Sequence, residues 1–548
     1  MNRLDEALER LRIANAVPRI EEVDADELEV VTALFDERRS RMTARSNEQP
    51  IRTSPGPGLP RRAVLAFATA MTLVLAAVGV VALMPGGKDE VVSLQTTAPT
   101  VMSTVTPTTV PPTTTGPVDT TIASLLTTWT RVPHDDAIFG DGSMGVSIND
   151  LTLGNNGLVA VGTVLWQDGS SQGAAWISPD GDSWLRVPHD DALFGSRYGD
   201  TTLNDVVAFQ GGYLAAGCND ESPQLLASAD GLSWSAVDLG DDLFAEPSYE
   251  DLLAGWARRD AAFDAGTQGL GWFISGLAVS DDRIVAVGSA GFGQGSPVTG
   301  VFDGGRFAAV WTSTDGVTWT RVPHNEAVFG GLEDGEQSMT AVAATSRGFT
   351  SIGADRSGSD FDAAVWLSED GISWQRVPHD ESIFGGDMAD GRRLDQTMVD
   401  LVTVGDGLLV VGTEIAGPQV PEDLSEDDAD LAVWLWPDGA TWQRLPHEVF
   451  VFWGLYDQYV FCVAILTEGF MAVGNERSNS ATWDPLGYEA IVWVSDDGVH
   501  WSKSATGEFP PGSFMKSVLT VGTRVVAVGG INNDDPLGAG VGAMWIRE

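Results

Sequence analysis

The sequence predicts an all-β fold, a seven-bladed β-propeller of four-stranded antiparallel blades, standing behind one membrane-spanning helix. Three observations predict it. After residue 129 an apolar six-residue run ending in Gly occurs seven times, a short strand that usually ends in Trp follows each run, and an Asp-Gly turn then leads to a second Trp. Six or eight blades are the alternative counts.

The chain divides in order into 1–62, 63–84, 85–128 and 129–548. Residues 63–84 carry no charge over 22 positions, enough for a helix to cross the hydrocarbon core. Seven arginines against one acid lie between Arg38 and Arg62, so the positive-inside rule keeps the N-terminus cytoplasmic and sends the rest out. A 62-residue lead and no small-x-small site near Met84 favour an uncleaved signal-anchor over a cleaved signal peptide. In residues 1–62, Leu4, Leu8 and Leu11 share a helical face, as do Leu28, Val31 and Phe35, with Asp24 or Asp26 as caps. Helices this short either dock a cytoplasmic partner or remain a loose positive tail that fixes topology. Residues 85–128 form a linker, dominated from 93 onward by Thr and Pro. That composition packs no core and reaches about 100 Å if extended. Thr-Pro tracts outside a membrane are candidates for O-glycosylation.

The seven Gly-ended runs are 157–162, 212–217, 283–288, 348–353, 407–412, 469–474 and 524–529. The Trp-ended strands close at Trp176, Trp311, Trp366, Trp434, Trp493 and Trp545. The turn S-x-D-G-x-x-W follows at 178–184, 228–234, 313–319, 368–374 and 495–501, with 436–442 as a variant in which Trp436 replaces Ser. Its Gly accepts positive φ and its Asp caps nearby backbone N–H groups, which makes a tight hairpin. Each repeat therefore reads as four strands. Six turns lead to six fourth strands, and the last repeat ends at Trp545-Ile546-Arg547-Glu548 before a turn. The missing strand is at the other end: Trp129-Thr130-Arg131-Val132-Pro133-His134 matches the fourth strands at 184–189, 319–324 and 374–379. An N-terminal strand that completes the last blade closes the ring and removes its open edge.

The turn resembles the Asp-box, or BNR repeat, of sialidase-type β-propellers, over roughly residues 129–548. The resemblance implies architecture: the box acids Asp180, Asp230, Asp315, Asp370, Asp438 and Asp497 are structural, on the face away from a family active site. It does not extend to the family's catalytic set. The arginines 131, 186, 321, 376 and 444 share one repeat position and so fall in different blades, and no tyrosine stands in a recognisable nucleophile setting.

Charge and cysteine count limit the remaining chemistry. Beyond residue 62 the chain holds 20 basic and 65 acidic residues. Such a surface repels nucleic acid and anionic lipid and attracts cations or basic partners. Two cysteines, Cys218 and Cys462, read as separate buried thiols, which excludes a disulfide scaffold. Five of six histidines (134, 189, 324, 379, 447) end the same W-x-R-[VL]-P-H strand, and so read as part of the repeat. After four of them comes HDDAIFG, HDDALFG, HNEAVFG or HDESIFG. One reading is a capped helical turn; the other is a ring of carboxylates, Asp135, Asp136, Asp190, Asp191, Glu326, Asp380 and Glu381, holding Ca²⁺ or a basic ligand. Two insertions, 238–272 and 417–430, interrupt the repeat, and Tyr249, Trp256 and Trp272 in the first are candidate partner contacts. The expected function is a monomeric, membrane-tethered module binding a protein or glycan outside the membrane. Glycan hydrolysis on the same scaffold, or sensing through residues 1–62, is the alternative.

Overall fold

The structure is a computed structural model and describes residues 129–548 apart from short stretches, the longest being 244–269. Residues 1–128 lie outside it, so the expected cytoplasmic segment, membrane helix and linker do too, as do Tyr249, Trp256, Asp438 and His447. Among the described residues no helix is long and apolar enough to cross a membrane.

Those residues form seven four-stranded antiparallel sheets, each built as one blade of a propeller. Blades 1 to 7 begin with the strands Gly145–Gly154, Thr201–Phe209, Leu270–Val279, Glu336–Thr345, Leu394–Val404, Gln458–Leu466 and Ser513–Val521. These first strands pack against one another in sequence, and that of blade 7 packs against that of blade 1, which makes a ring around a central channel. The seal is the one expected from the repeat count. Thr130–Arg131 is the fourth strand of blade 7 and pairs with the C-terminal strand Val541–Arg547, with Thr130 opposite Ile546 and Arg131 opposite Trp545.

The glycine that ends each apolar run has a steric cause. In every blade the first strand carries a β-bulge, and the residue opposite its start is that glycine, as in Ile148 against Gly162 and Met398 against Gly412. A Cβ there would meet the neighbouring carbonyl oxygen at 2.1 Å from Ser147 to Gly162, 1.9 Å from Thr202 to Gly217 and 2.0 Å from Ser338 to Gly353. No side chain fits that space. The bulge re-aims the following residues of the first strand toward the channel.

The third-strand tryptophans are wholly buried. Trp176, Trp311, Trp366, Trp434, Trp493 and Trp545 stand directly across from Arg186, Arg321, Arg376, Arg444, Lys503 and Arg131 of the fourth strands. Arg376 lies over the Trp366 ring at 4.9 Å and Arg186 over Trp176 at 5.9 Å, a cation–π geometry. Blade 2 uses Leu226 and Ala236 at that position instead.

The Asp-Gly turns are built alike. Ser178 Oγ accepts the Gly181 N–H, Asp180 Oδ1 accepts the Asp182 and Ser183 N–H groups, and the Trp184 indole donates to Gly181 O. Asp230, Asp315, Asp370 and Asp497 repeat the arrangement. Gly181 takes φ +85°. In the variant turn Trp436 stacks on Trp442 at 5.4 Å, replacing the serine's hydrogen bond by ring contact. Trp272 is corrected from a partner contact to a core residue. It is 3% exposed, edge-on to Phe307 and Trp311 and covered by Arg321, because alternation along its strand turns it inward.

Replacing Gly353 by Ala is expected to cost about 2–4 kcal/mol through steric strain at the bulge. The check is the urea midpoint of the variant against wild type, with Gly405→Ala, where nothing lies within 4 Å but φ is +61°, as the comparison for backbone strain alone.

Candidate functional site

Two places gather chemistry-bearing groups: the linkers that join one blade's fourth strand to the next blade's first strand, and the wall of the channel.

Each described linker is a capped turn. Asp135 precedes the helix Asp136–Phe139 and its carboxylate accepts the Ala137 N–H; Asp190 does the same for Asp191–Phe194, and the Asn325 amide oxygen accepts the Ala327 N–H for Glu326–Phe329. Asp380 accepts both the N–H and the hydroxyl of Ser382, which hold its carboxyl below the usual range. Phe139, Phe194, Phe329 and Phe384 are buried beneath these turns. In blades 1, 4 and 5 the third-strand indole fixes the turn: Trp176 donates to Ile138 O, Trp366 to Val328 O and Trp434 to Ile383 O. The second acid pairs with the repeat histidine, Asp136 with His134 at 2.8 Å, Asp191 with His189 at 3.0 Å, Glu326 with His324 at 3.1 Å and Glu381 with His379 at 3.0 Å. The seven acids are thus distributed one linker apart and are not brought to a common point.

The third neighbour of the histidine differs from blade to blade. At the start of the third strand, blade 1 places Gln172, whose amide lies 3.0 Å from His189. Blade 3 places Phe307, edge-on to His324. Blade 4 places Asp362, 4.0 Å from His379. Among the described residues Asp362, His379 and Glu381 are the group whose donor atoms could hold a metal ion. One imidazole with two carboxylates suits a transition-metal dication better than Ca²⁺, which prefers oxygen ligands alone.

The channel wall holds groups the sequence reading did not single out. Immediately beyond the bulge residue stand Asp150, Asp205, Gly276, Ala341, Asp400, Cys462 and Ser517, one from each blade. They bridge from blade to blade. Asp150 accepts the Val206 N–H at 3.0 Å, Asp205 the Leu277 N–H at 2.6 Å and Asp400 the Val463 N–H at 2.8 Å. Ser517 Oγ donates to Asp150 at 2.7 Å, and Cys462 Sγ lies 3.8 Å from Ser517 Oγ. Where no acid stands, Thr340 donates to Met398 O at 2.7 Å, and a Cβ on Gly276 would meet Ala341 Cα at 3.2 Å. Six blade interfaces are therefore crossed by side chains near one level, and the seventh, between blades 3 and 4, is closed by backbone approaching at Gly276.

Burial in the narrow wall raises the carboxyls. Asp150 is raised by desolvation, and Asp205 well above the ordinary range by desolvation together with the charge of Asp150. Burial takes Asp400 to about 6 and raises the Cys462 thiol, with the charge of Asp400 adding to the latter. Lys516, the bulge residue of blade 7, is 8% exposed, has its ammonium 3.7 Å above the Phe461 ring, and is brought down to about 7 by burial. One signal could have found the acids: a carboxylate inside an apolar strand twelve residues before Gly162, Gly217 and Gly412.

No family model matches this chain, and no curated protein matches it. Solved structures similar to it include a Trypanosoma rangeli sialidase in complex with the inhibitor DANA, at 9% identity and TM-score 0.35, covering 74% of this chain and 55% of that one. Another is an α-L-arabinofuranosidase from Fusarium graminearum in complex with an iminosugar inhibitor, at 12% identity and TM-score 0.34, covering 63% of this chain and 91% of that one. At TM-scores this low, neither likeness carries an argument about this chain.

Asp400 keeps its proton in the fold at pH values where the unfolded chain has lost it, so stability falls as pH rises from 3.8 toward about 6. Lys516 is neutral in the fold from about 7 upward, where the unfolded chain stays protonated to 10.5, so stability rises again with pH across that range. Urea midpoints measured from pH 4 to pH 9 are expected to fall on the acid side and to rise again on the alkaline side. Asp400→Asn flattens the acid side of that curve, and an unchanged slope refutes the assignment.

The fold is a seven-bladed propeller of four-stranded antiparallel blades.

Proposed function

We propose that the chain is a membrane-tethered interaction module whose propeller binds a protein or glycan outside the membrane. In this reading residues 1–62 are cytoplasmic and available to a partner there, 63–84 span the bilayer, 85–128 form the linker, and a monomeric propeller of residues 129–548 presents its linker face. One observation supports binding. The side chains of Asp136, Asp191 and Glu381 are 88%, 76% and 56% exposed, yet each sits on a capped turn and is paired with its own histidine. Charges ordered before a ligand arrives lose little entropy on meeting it. They suit a basic protein surface or a hydroxyl-rich glycan, and they disfavour nucleic acid.

The test is a glycan array and a pull-down from cell envelopes, each run with wild type and with the triple variant Asp136→Asn, Asp191→Asn, Glu381→Gln. Binding that weakens at least ~tenfold in the variant, with thermal stability unchanged, is expected from losing three charged contacts. Equal binding by both removes the linkers from the site. Binding that survives EDTA removes any cation at Asp362, His379 and Glu381 from it as well.

A second reading, glycan hydrolysis, is favoured by the Asp150–Asp205 pair. Two carboxyls in contact, one raised by the charge of the other, place an acid and a base in the same wall, although a glycosidase sets its two carboxyls about 5–9 Å apart. Against it, both acids already accept backbone N–H groups of neighbouring blades. This reading requires turnover of a chromogenic glycoside by the full chain and its loss in both Asp150→Asn and Asp205→Asn. A broad panel left uncleaved by wild type ends it.

A further inference from the structure

Among the described residues, the eight large apolar side chains left most exposed lie at one face. Leu232, Val317, Ile372 and Val499 follow the glycine of the Asp-Gly turn in blades 2, 3, 4 and 6. Leu153, Val404 and Ile465 stand at the end of the first strands of blades 1, 5 and 6, beside the turn to the second strand. Leu185 follows the turn tryptophan of blade 1. In an antiparallel four-stranded blade, the turns from first to second and from third to fourth strand fall at the same end. The face is therefore the one opposite the His–acid linkers. Single exposed aliphatics are ordinary; confinement of all of them to one side, with Val317 at 65%, is not.

The chain enters the propeller at the same side. Thr130 pairs with Ile546 and Arg131 with Trp545, so the strand rises from the Asp-Gly turn end of its blade, and Trp129 joins the preceding residues there. Part of the acidic charge of that face is tied to backbone N–H groups. The carboxylates of Asp180, Asp230, Asp315, Asp370 and Asp497 are bound to the N–H groups of their own turns.

We propose that this face rests on the surface of a zwitterionic lipid bilayer, with its aliphatic side chains entering the boundary between headgroups and acyl chains. The proposal rests on the reading of residues 63–84 as a membrane anchor. The tether ends at the apolar side and keeps it at high local concentration near the lipid, so weak contacts suffice. The acidic charge of the chain beyond residue 62 selects uncharged or zwitterionic headgroups over anionic ones. It also leaves the linker face pointing away from the membrane.

The experiment uses the full chain at one copy per phosphatidylcholine nanodisc. A fluorophore is placed on Val317→Cys, on Ile372→Cys, or on Ala137→Cys in a linker turn, and quenching by headgroup-spin-labelled lipid is read. Labels at 317 and 372 are expected to be quenched several-fold more than the label at 137, and less so when phosphatidylserine replaces phosphatidylcholine. Adding Val317→Asp to the Ile372→Cys chain is expected to reduce that quenching, since both sites are exposed. A chain that co-purifies with discs yet shows equal quenching at all three positions overturns docking and leaves the anchor standing. A chain that does not enter discs overturns the anchor itself. Energy transfer between two copies in larger discs, without lipid quenching, assigns the face to a second copy of the chain and overturns the proposal.

Discussion

A single steric constraint organises this propeller: the glycine opposite the bulge in each first strand. Without a side chain there, one carbonyl of the inner strand can swing toward its neighbour, and the strand gains a residue that the second strand does not match. The gain re-aims the next residues into the channel. Asp150, Asp205, Asp400, Cys462 and Ser517 can then reach across blade boundaries, where they meet backbone N–H groups or one another. The ring is thus held at its narrowest circumference by polar bridges and at its widest by buried indoles. The indole position holds Trp in six of seven blades, whereas the bridging position varies among Asp, Gly, Ala, Cys and Ser.

The polar girdle is internally committed. Groups with shifted proton affinity in a concave place are ordinarily candidates for catalysis. Here the same shifts arise because carboxyls tie blades together in a tight wall, where charge is costly and protons are retained. Structural ion networks and active sites share this signature, and the hydrogen-bond partners separate them. An oxygen already accepting an N–H from the next blade has less capacity for substrate. The linkers differ, because their second acids meet solvent while their first acids hold the backbone.

The architecture could be read from the residues because each signal was local and repeated. Gly-ended runs, Asp-Gly turns and the Trp-Thr-Arg-Val-Pro-His strand each state a backbone requirement, and counting them assigned Thr130–Arg131 to the last blade. The linker motif alone is compatible with caps and with ligands. The structure shows Asp135, Asp190 and Asp380 accepting N–H groups while their neighbours pair with histidine, so the two roles alternate along one motif. The channel acids escaped notice because nothing local marks them. Asp150 is a polar residue in an apolar strand until Ser517, hundreds of positions later, donates to it. Trp272 failed for a related reason: composition suggested a loop, whereas pairing from Leu270 onward makes it part of a strand whose alternation faces inward. The position of Asp362 beside His379 likewise needs register, since Asp355 must pair with Asp362 to bring it there.

The sealing pair also sets an order of events in time. Thr130 and Arg131 are made before any blade, yet their partners Ile546 and Trp545 follow hundreds of residues later. Until Val541–Arg547 has been added, the first strand to be made has nothing to pair with and the ring stays an arc with an open edge. Closure therefore comes only after all seven blades are in place.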